Sequence, residues 1–169
     1  MNNTEQQSVF DEWMRAHKGL LFKFVRAYAH TAEDRDDLFQ EIALQVWRSV
    51  PQFRGESAVT TWLYRISINI SIAWNRKEKK HNVGKESLNG MDHLLKESKV
   101  TDPRLDWLYE QIAGMNPVDR TLTLLVLDGY SYKEMAGMVG VSESNIGVKI
   151  HRIKNQLISK SEKIVNHGI

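Results

Sequence analysis

The sequence predicts an all-α protein made of two small helical domains joined by a flexible linker, the C-terminal domain being a helix-turn-helix. Apolar residues recur three or four positions apart along most of the chain, which is the spacing of one helix face. The three prolines, Pro51, Pro103 and Pro117, fall where predicted helices begin or end. Segment 81–102 is polar, carries glycines and lacks this spacing, as is typical of a linker.

Composition narrows the class of protein. A chain of 169 residues has room for one ordinary domain or two small ones. The absence of cysteine excludes disulfides, thiolate zinc sites and cysteine nucleophiles. No apolar run approaches the length of a membrane span or of a signal-peptide core. We therefore expect a cytoplasmic protein without membrane insertion.

Charge is distributed unevenly, although the net charge is only +2. Acids outnumber bases in 31–49, whereas bases outnumber acids in 53–80 and again in 131–169. Two basic blocks are typical of a protein that contacts a polyanion at two places, and the acidic stretch indicates a separate acidic face. On charge alone, ordinary solvated helix faces explain the pattern better.

The helices can be placed in order. Apolar positions predict two helices before residue 30, a third through Leu38, Ile42 and Val46, and a long fourth over about 57–80. Acids in the first turn of the third helix suit the positive end of its dipole. After the linker, helices are predicted at 103–113 and 117–128, each opening on a capping side chain followed by proline.

The segment from Tyr132 to Leu157 has the pattern of a helix-turn-helix. Such a motif needs a small residue where its helices touch, a residue tolerant of left-handed geometry in the turn, and a branched apolar plug. Ala136, Gly140 and Ile146 fall at these places, and Ser142 is placed to cap the second helix. The motif predicts DNA binding.

The second helix of this motif has two faces. Its predicted buried stripe is Ile146, Ile150, Ile153 and Leu157. Short polar groups and cations on the other side suit base edges and phosphates in a major groove. The alternative is a helical hairpin with a polar surface, but the constrained positions favour a DNA reader. The candidate DNA contacts are Ser144, Asn145, Val148, Lys149, His151 and Arg152.

A second candidate site lies in the N-terminal domain. A glycine-containing loop, 53–57, leads into a helix that interleaves aromatic residues with Arg65 and Asn69. Aromatic rings and cations suit single-stranded DNA, and an amide such as Asn69 suits a base turned out of the stack. The alternative is that Trp62, Tyr64 and Ile66 form core, which is the preferred interpretation for Trp62 and Ile66.

Several ordered segments together resemble a known family. The chain is similar to the two-domain RNA polymerase sigma factors of the extracytoplasmic-function (ECF) type, within the sigma-70 family. The resemblance covers nearly the whole chain except the linker and the extreme termini. It is carried by Asp37-Leu38-Phe39-Gln40-Glu41, Phe53-Arg54-Gly55-Glu56-Ser57, Thr61-Trp62-Leu63-Tyr64-Arg65-Ile66, and Gly129-Tyr130-Ser131-Tyr132-Lys133-Glu134-Met135-Ala136.

The resemblance implies a division of labour. Residues 1–80 would form a region 2-like domain that binds core polymerase and reads the −10 element, 81–102 the linker, and 103–169 a region 4-like domain that reads the −35 element. The implied polymerase contacts are Asp37, Leu38, Gln40 and Glu41, with an exposed Leu38 or Phe39 as apolar anchor. The implied −10 contacts are Phe53, Arg54, Gly55, Ser57, Arg65, Asn69, Arg76 and Lys77.

The implied partners are core RNA polymerase, promoter DNA and an anti-sigma factor, and catalysis belongs to the polymerase. The recognition helix departs from many relatives at Gly147, where they carry a cation. A helix-interior glycine costs about 1 kcal/mol relative to alanine, so we expect Gly147 to let the backbone approach DNA. Arg152 and Lys149 are the contacts that best match the family.

Two alternatives remain. A stand-alone helix-turn-helix regulator would explain 132–157 but neither the acidic helix nor the loop at Gly55. An enzyme is disfavoured because the chain has no glycine-rich phosphate loop and no H-E-x-x-H, only a lone E-x-x-H at 78–81. We therefore expect no catalytic activity, no metal and no cofactor.

Overall fold

The computed structural model describes residues 1–81 and 102–166. Within these ranges the chain is helical, with no strand. The expected linker, 81–102, lies outside the described residues except at its two ends. The helices are α1 (Asn3–Ala16), α2 (Lys18–Tyr28), α3 (Ala32–Ser49), α4 (Val59–His81), α5 (Pro103–Ala113), α6 (Pro117–Leu127), α7 (Tyr132–Val139) and α8 (Glu143–Asn166), with a short 3-10 turn at Val50–Gln52.

The chain divides into two compact units, Met1–Asp106 and Trp107–Ile169. This arrangement confirms the predicted fold class of two small helical domains. No helix within the described ranges is both long enough and apolar enough to cross a membrane.

The first unit is built around α4, which packs against α2 and α3. Thr31 begins α3 by accepting a hydrogen bond at Oγ1 from the backbone N–H of Asp34, at 3.0 Å. Helix α4 begins two residues later than predicted, because its first helical hydrogen bond runs from the Trp62 N–H to the Ala58 carbonyl. The largest of the fully buried core side chains of this unit are Leu21, Phe24, Leu38, Ile42, Leu63 and Tyr64.

The second unit packs α6 and α7 against α8. Asn116 caps α6 as predicted, accepting from the Asp119 N–H at 2.9 Å, with Pro117 at the first helical position. The buried guanidinium group of Arg120 donates to the carbonyls of Ala113 and Met115, at 2.7 and 2.8 Å. These bonds satisfy the carbonyl of the last residue of α5 and one in the segment that follows it.

The helix-turn-helix is formed by α7 and α8. Gly140 ends α7 with φ of +76°, in the left-handed region that favours glycine. Ser142 caps α8 by accepting from the Asn145 N–H at 3.2 Å. Ile146 is wholly buried. The predicted turn, cap and plug are therefore confirmed.

Candidate nucleic-acid and polymerase interface

The acidic helix α3 presents Asp37 and Gln40 to solvent and leaves Glu41 partly exposed. The prediction that Leu38 contacts the polymerase is wrong, because Leu38 is wholly buried. The core face of α3 runs through Leu38, Ile42 and Val46, four residues apart, so Leu38 points into the domain.

Phe39 is not an exposed anchor either. Its ring is half-buried and stacks on Phe22, with centroids 5.1 Å apart and an interplanar angle of 13°. This ring pair joins α3 to α2.

Leu44 is the apolar residue of α3 that sequence reasoning missed. Its side chain is 49% exposed. It follows Asp37 by seven residues and Glu41 by three, so the three share one helix face. The signal was present in the sequence as an apolar residue that continues the acidic stripe.

The loop between the 3-10 turn and α4 is held by aromatic contacts. The Phe53 ring meets Trp13 at 5.1 Å and Trp62 at 5.6 Å between centroids, edge to face in both cases. The Trp62 indole Nε1 donates to Ser49 Oγ at 3.1 Å. Gly55 turns the loop with φ of +73°. Phe53 thus fixes the loop to the domain from inside.

The sequence favoured Ile66 and Trp62 as core residues. Ile66 is buried, which confirms this interpretation, whereas Trp62 is only half-buried. Tyr64, left open between core and DNA contact, is almost wholly buried and belongs to the core.

A groove of about 650 Å³ opens beside this loop. Two aromatic rings line it together with two guanidinium groups and one carboxylate, and the rings and the excess of cations suit a planar, negatively charged ligand such as a nucleotide. The lining includes Phe53, Arg54, Glu56, Ser57, Trp62 and Arg65.

The outer face of α4 continues the line of cationic side chains that begins with Arg54 and Arg65 at the groove. Arg65, Asn69 and Arg76 are all exposed and recur at spacings of four and seven residues, which places them along one side of the helix. Lys77 follows at the same end and lies 3.7 Å from Glu41 of α3. Six of the eight predicted −10 contacts are exposed, and Phe53 and Ser57 are half-buried.

The recognition helix α8 exposes a polar face at its N-terminal end. Ser144, Asn145 and His151 are exposed, and Lys149 is half-buried. Val148 is 68% exposed although it is apolar. This placement gives one helix end short polar groups, a methyl-bearing side chain and a cation.

Gly147 faces its own domain. A Cβ atom added there would lie 3.6 Å from the Tyr132 ring of α7, an ordinary van der Waals distance. A side chain at this position would point at Tyr132, so the geometry gives no support to the expectation that this glycine lets the backbone approach DNA. The glycine faces the contact between α7 and α8, with space left for a methyl group.

Arg152 is engaged within the second unit. Its Nη2 donates to both carboxylate oxygens of Asp119, at 3.0 and 2.9 Å. The predicted DNA contact at Arg152 thus has a protein partner in this structure.

The family profile of sigma-70 region 2 matches residues 13–81, and that of sigma-70 region 4 matches residues 105–157. The chain is 30% identical over 154 residues to the RNA polymerase sigma-H factor of Pseudomonas aeruginosa, covering 82% of this chain and 77% of that protein. It is 28% identical over 151 residues to the ECF RNA polymerase sigma factor SigM of Mycobacterium tuberculosis, covering 88% and 74%.

Two solved structures share the fold. CnrH, in complex with the cytosolic domain of CnrY, is similar with a TM-score of 0.67 at 18% identity, covering 93% of this chain and 90% of that one. The sigma factor RpoE of Bartonella quintana, in complex with the anti-sigma factor NepR, gives 0.65 at 19% identity, covering 88% and 93%. The two family profiles and the relatives lead to one conclusion: the chain belongs to the ECF sigma factors of the sigma-70 family.

Proposed function

We propose that three surfaces divide the work of this sigma factor, which directs promoter-specific initiation by core RNA polymerase. The acidic face of α3 docks on the polymerase, the loop at Phe53 and the outer face of α4 read the −10 element, and α8 reads the −35 element. Residues 1–80 and 103–169 would be the two functional domains, joined by 81–102. The observation that carries this proposal is the exposure of a cationic face on α4 and a polar face on α8, each belonging to a matched family region.

Docking on the polymerase is assigned to Asp37, Gln40, Glu41 and Leu44. Carboxylates suit a basic partner and raise the rate of association. An exposed leucine among them supplies the apolar contact that dominates the energy of many interfaces. Leu44 takes the anchoring role that Leu38 cannot fill.

Reading of the −10 element is assigned to the groove beside the loop and to α4. The exposed guanidinium group of Arg54 at the groove rim, together with Arg65, Arg76 and Lys77, would hold phosphates of the non-template strand. Asn69 offers both a donor and an acceptor to a base edge. Phe53, Gly55 and Ser57 shape the groove, Phe53 by its contacts with the two tryptophans.

Reading of the −35 element is assigned to the first two and a half turns of α8. Ser144, Asn145 and His151 would hydrogen-bond base edges or phosphates in the major groove, and Lys149 would contact a phosphate. The exposed Val148 suits a thymine methyl group. Arg152 is argued separately below.

The partners follow from this assignment. Core polymerase supplies the catalysis, and no reaction is assigned to this chain, which would act in the cytoplasm where polymerase and promoter meet. An anti-sigma factor is a further partner, since RpoE is solved in complex with NepR. The stand-alone regulator is disfavoured because it assigns no role to the region 2 match at residues 13–81.

The assignment is tested by separating the two DNA contacts in the polymerase holoenzyme. Lys149→Ala should weaken binding to promoters with an intact −35 element and leave unchanged the binding to a single-stranded −10 oligonucleotide. Arg54→Ala should do the reverse. Loss of one phosphate contact lowers the slope of log affinity against log salt concentration by about one. Equal effects of both variants on both ligands would contradict the division of labour.

A further inference from the structure

Asp119 is a carboxylate held from two sides. Its side chain is only 9% exposed, whereas that of Arg152 is 50% exposed. Asn116 Nδ2 donates to Asp119 Oδ2 at 2.8 Å, and Arg152 Nη2 contacts both oxygens. The carboxylate also lies in the first turn of α6, where the helix dipole favours negative charge. The contact therefore joins the start of α6 to the middle of α8.

The burial of Asp119 constrains what Arg152 can do. A buried carboxylate that loses its cation is left uncompensated, which is strongly unfavourable. If the guanidinium group swung away to a base or phosphate, Asp119 would keep only the amide of Asn116 and its place at the helix start. The pairing within the protein therefore competes with any use of Arg152 on DNA.

We propose that Arg152 is a positioning residue, which ties α8 to Asp119 and so sets the angle at which the recognition face enters the major groove. The proposal rests on the assignment of α8 to the −35 element. Ser144 lies eight residues before Arg152, about 12 Å along the helix at 1.5 Å per residue. A tilt of about 10° at Arg152 would displace Ser144 by about 2 Å, enough to break a hydrogen bond to a base.

The competing role is a direct phosphate contact, and Asp119 distinguishes the two. If Arg152 positions α8, Asp119→Asn harms −35 recognition as Arg152→Ala does, and the double variant is no worse than either single one. If Arg152 holds a phosphate, Asp119→Asn frees a cation, so DNA affinity stays the same or rises. The two effects would then be independent.

The experiment uses holoenzyme made with the full-length chain and promoters that carry either a matched or a scrambled −35 element, over a range of salt concentrations. The variants are Arg152→Ala, Asp119→Asn and the double variant, with Lys154→Ala as the exposed-cation control on the same helix. Binding is measured below the melting transition of every variant, as followed by circular dichroism, so that a simple loss of folding does not enter.

We expect both single variants to lower the preference for the matched promoter by roughly five- to a hundredfold, the range for losing one good base contact. The salt dependence and the binding of a single-stranded −10 oligonucleotide should stay as in the wild type. Arg152→Lys should restore part of the preference, but only when Asp119 is present.

The proposal would be overturned if Asp119→Asn retained or increased affinity for the matched promoter. It would also be overturned if, in Arg152→Ala, the slope of log affinity against log salt concentration fell by about one, since that is the loss of one phosphate contact. A melting temperature that falls while the preference for the matched element is unchanged would also overturn it, leaving the pair a stability feature alone. If the wild-type holoenzyme shows no preference for any −35 sequence, the assignment of α8 fails instead.

Discussion

Lys77 Nζ lies 3.7 Å from Glu41 Oε1, linking the end of α4 to the exposed acidic face of α3. Glu41 is proposed to meet the polymerase and Lys77 to meet the −10 strand, so the ion pair joins the two surfaces. The side chains of Lys77 and Glu41 are 64% and 42% exposed, and solvent-exposed pairs of this kind contribute at most about 1 kcal/mol. Because the pair is so weak, Glu41 can leave it to contact the polymerase, or Lys77 to contact the −10 strand, without disturbing the fold.

Replacing Glu41 should separate these effects. In Glu41→Gln we expect weaker binding to core polymerase and a rise of up to roughly fivefold in the affinity of the free protein for a single-stranded −10 oligonucleotide, because Lys77 loses its competitor. Fluorescence titrations measure both. Glu33→Gln, an exposed acid in the first turn of α3, is the control. Unchanged polymerase binding in Glu41→Gln would contradict the docking assignment.

The two leucines of α3 should behave in opposite ways. Leu38→Ala should lower the free energy of unfolding by about 2–5 kcal/mol, because it empties core volume. Leu44→Ala should change that free energy by less than about 0.5 kcal/mol and reduce affinity for core polymerase by roughly fivefold or more. Denaturant unfolding and polymerase titration provide the two readouts. Full polymerase affinity in a folded Leu44→Ala variant would exclude the apolar anchor.

Gly147→Ala should stabilise the protein. The added methyl group meets the Tyr132 ring at an ordinary distance, and alanine favours a helix over glycine by up to about 1 kcal/mol. Thermal unfolding should show a higher midpoint, and affinity for a matched −35 duplex should be retained. A stabilised variant that no longer binds the duplex would show that the glycine is needed against DNA after all.

The stability of the first turn of α7 should depend on pH. The backbone N–H of Ser131 donates to the Glu134 carboxylate at 2.7 Å, and this bond, with a further one from the Ser131 side chain, holds the pKa of Glu134 below its ordinary value of 4.5. The stabilisation is therefore complete above pH 4.5 and is lost as the pH falls through the lowered pKa of the folded state.

Glu134→Gln tests this dependence. The variant should melt below the wild type at pH 7, and the gap should close in acid as the wild-type carboxylate takes up its proton. Glu143→Gln, in the first turn of α8, controls for the loss of an acid near a helix start. A gap that is constant from pH 7 to acid would rule out the charged capping box.

The helix ends and the turn of the helix-turn-helix could be predicted from the sequence, because they depend on residues close to one another along the chain. Ser142, Gly140 and Asn116 act through atoms within four residues of themselves, so their roles as caps and turn are visible in a short stretch of sequence. The apolar period of α8 likewise identified its buried face, because Ile146, Ile150 and Ile153 repeat at helical spacing.

The candidate sites depended more on contacts between distant residues. Leu38 lies in the apolar stripe of α3 and Leu44 in its acidic stripe, a difference that the helical period indicates, but the packing of α3 on α2 and α4 is what establishes that Leu38 is buried and Leu44 exposed. The partner of Arg152 lies 33 residues away in the sequence, so its pairing could not be read from the recognition helix alone. The surroundings of Gly147 likewise required the position of the Tyr132 ring.

Run-off transcription measures directly whether this chain confers promoter choice on RNA polymerase. Core polymerase alone and core polymerase with the full-length chain are presented with a library of promoters, and the transcript ends are sequenced. We expect initiation at a discrete subset that shares a −10 and a −35 sequence, and only when the chain is present. Initiation that the chain does not alter, although the chain binds DNA, would contradict its role in promoter choice.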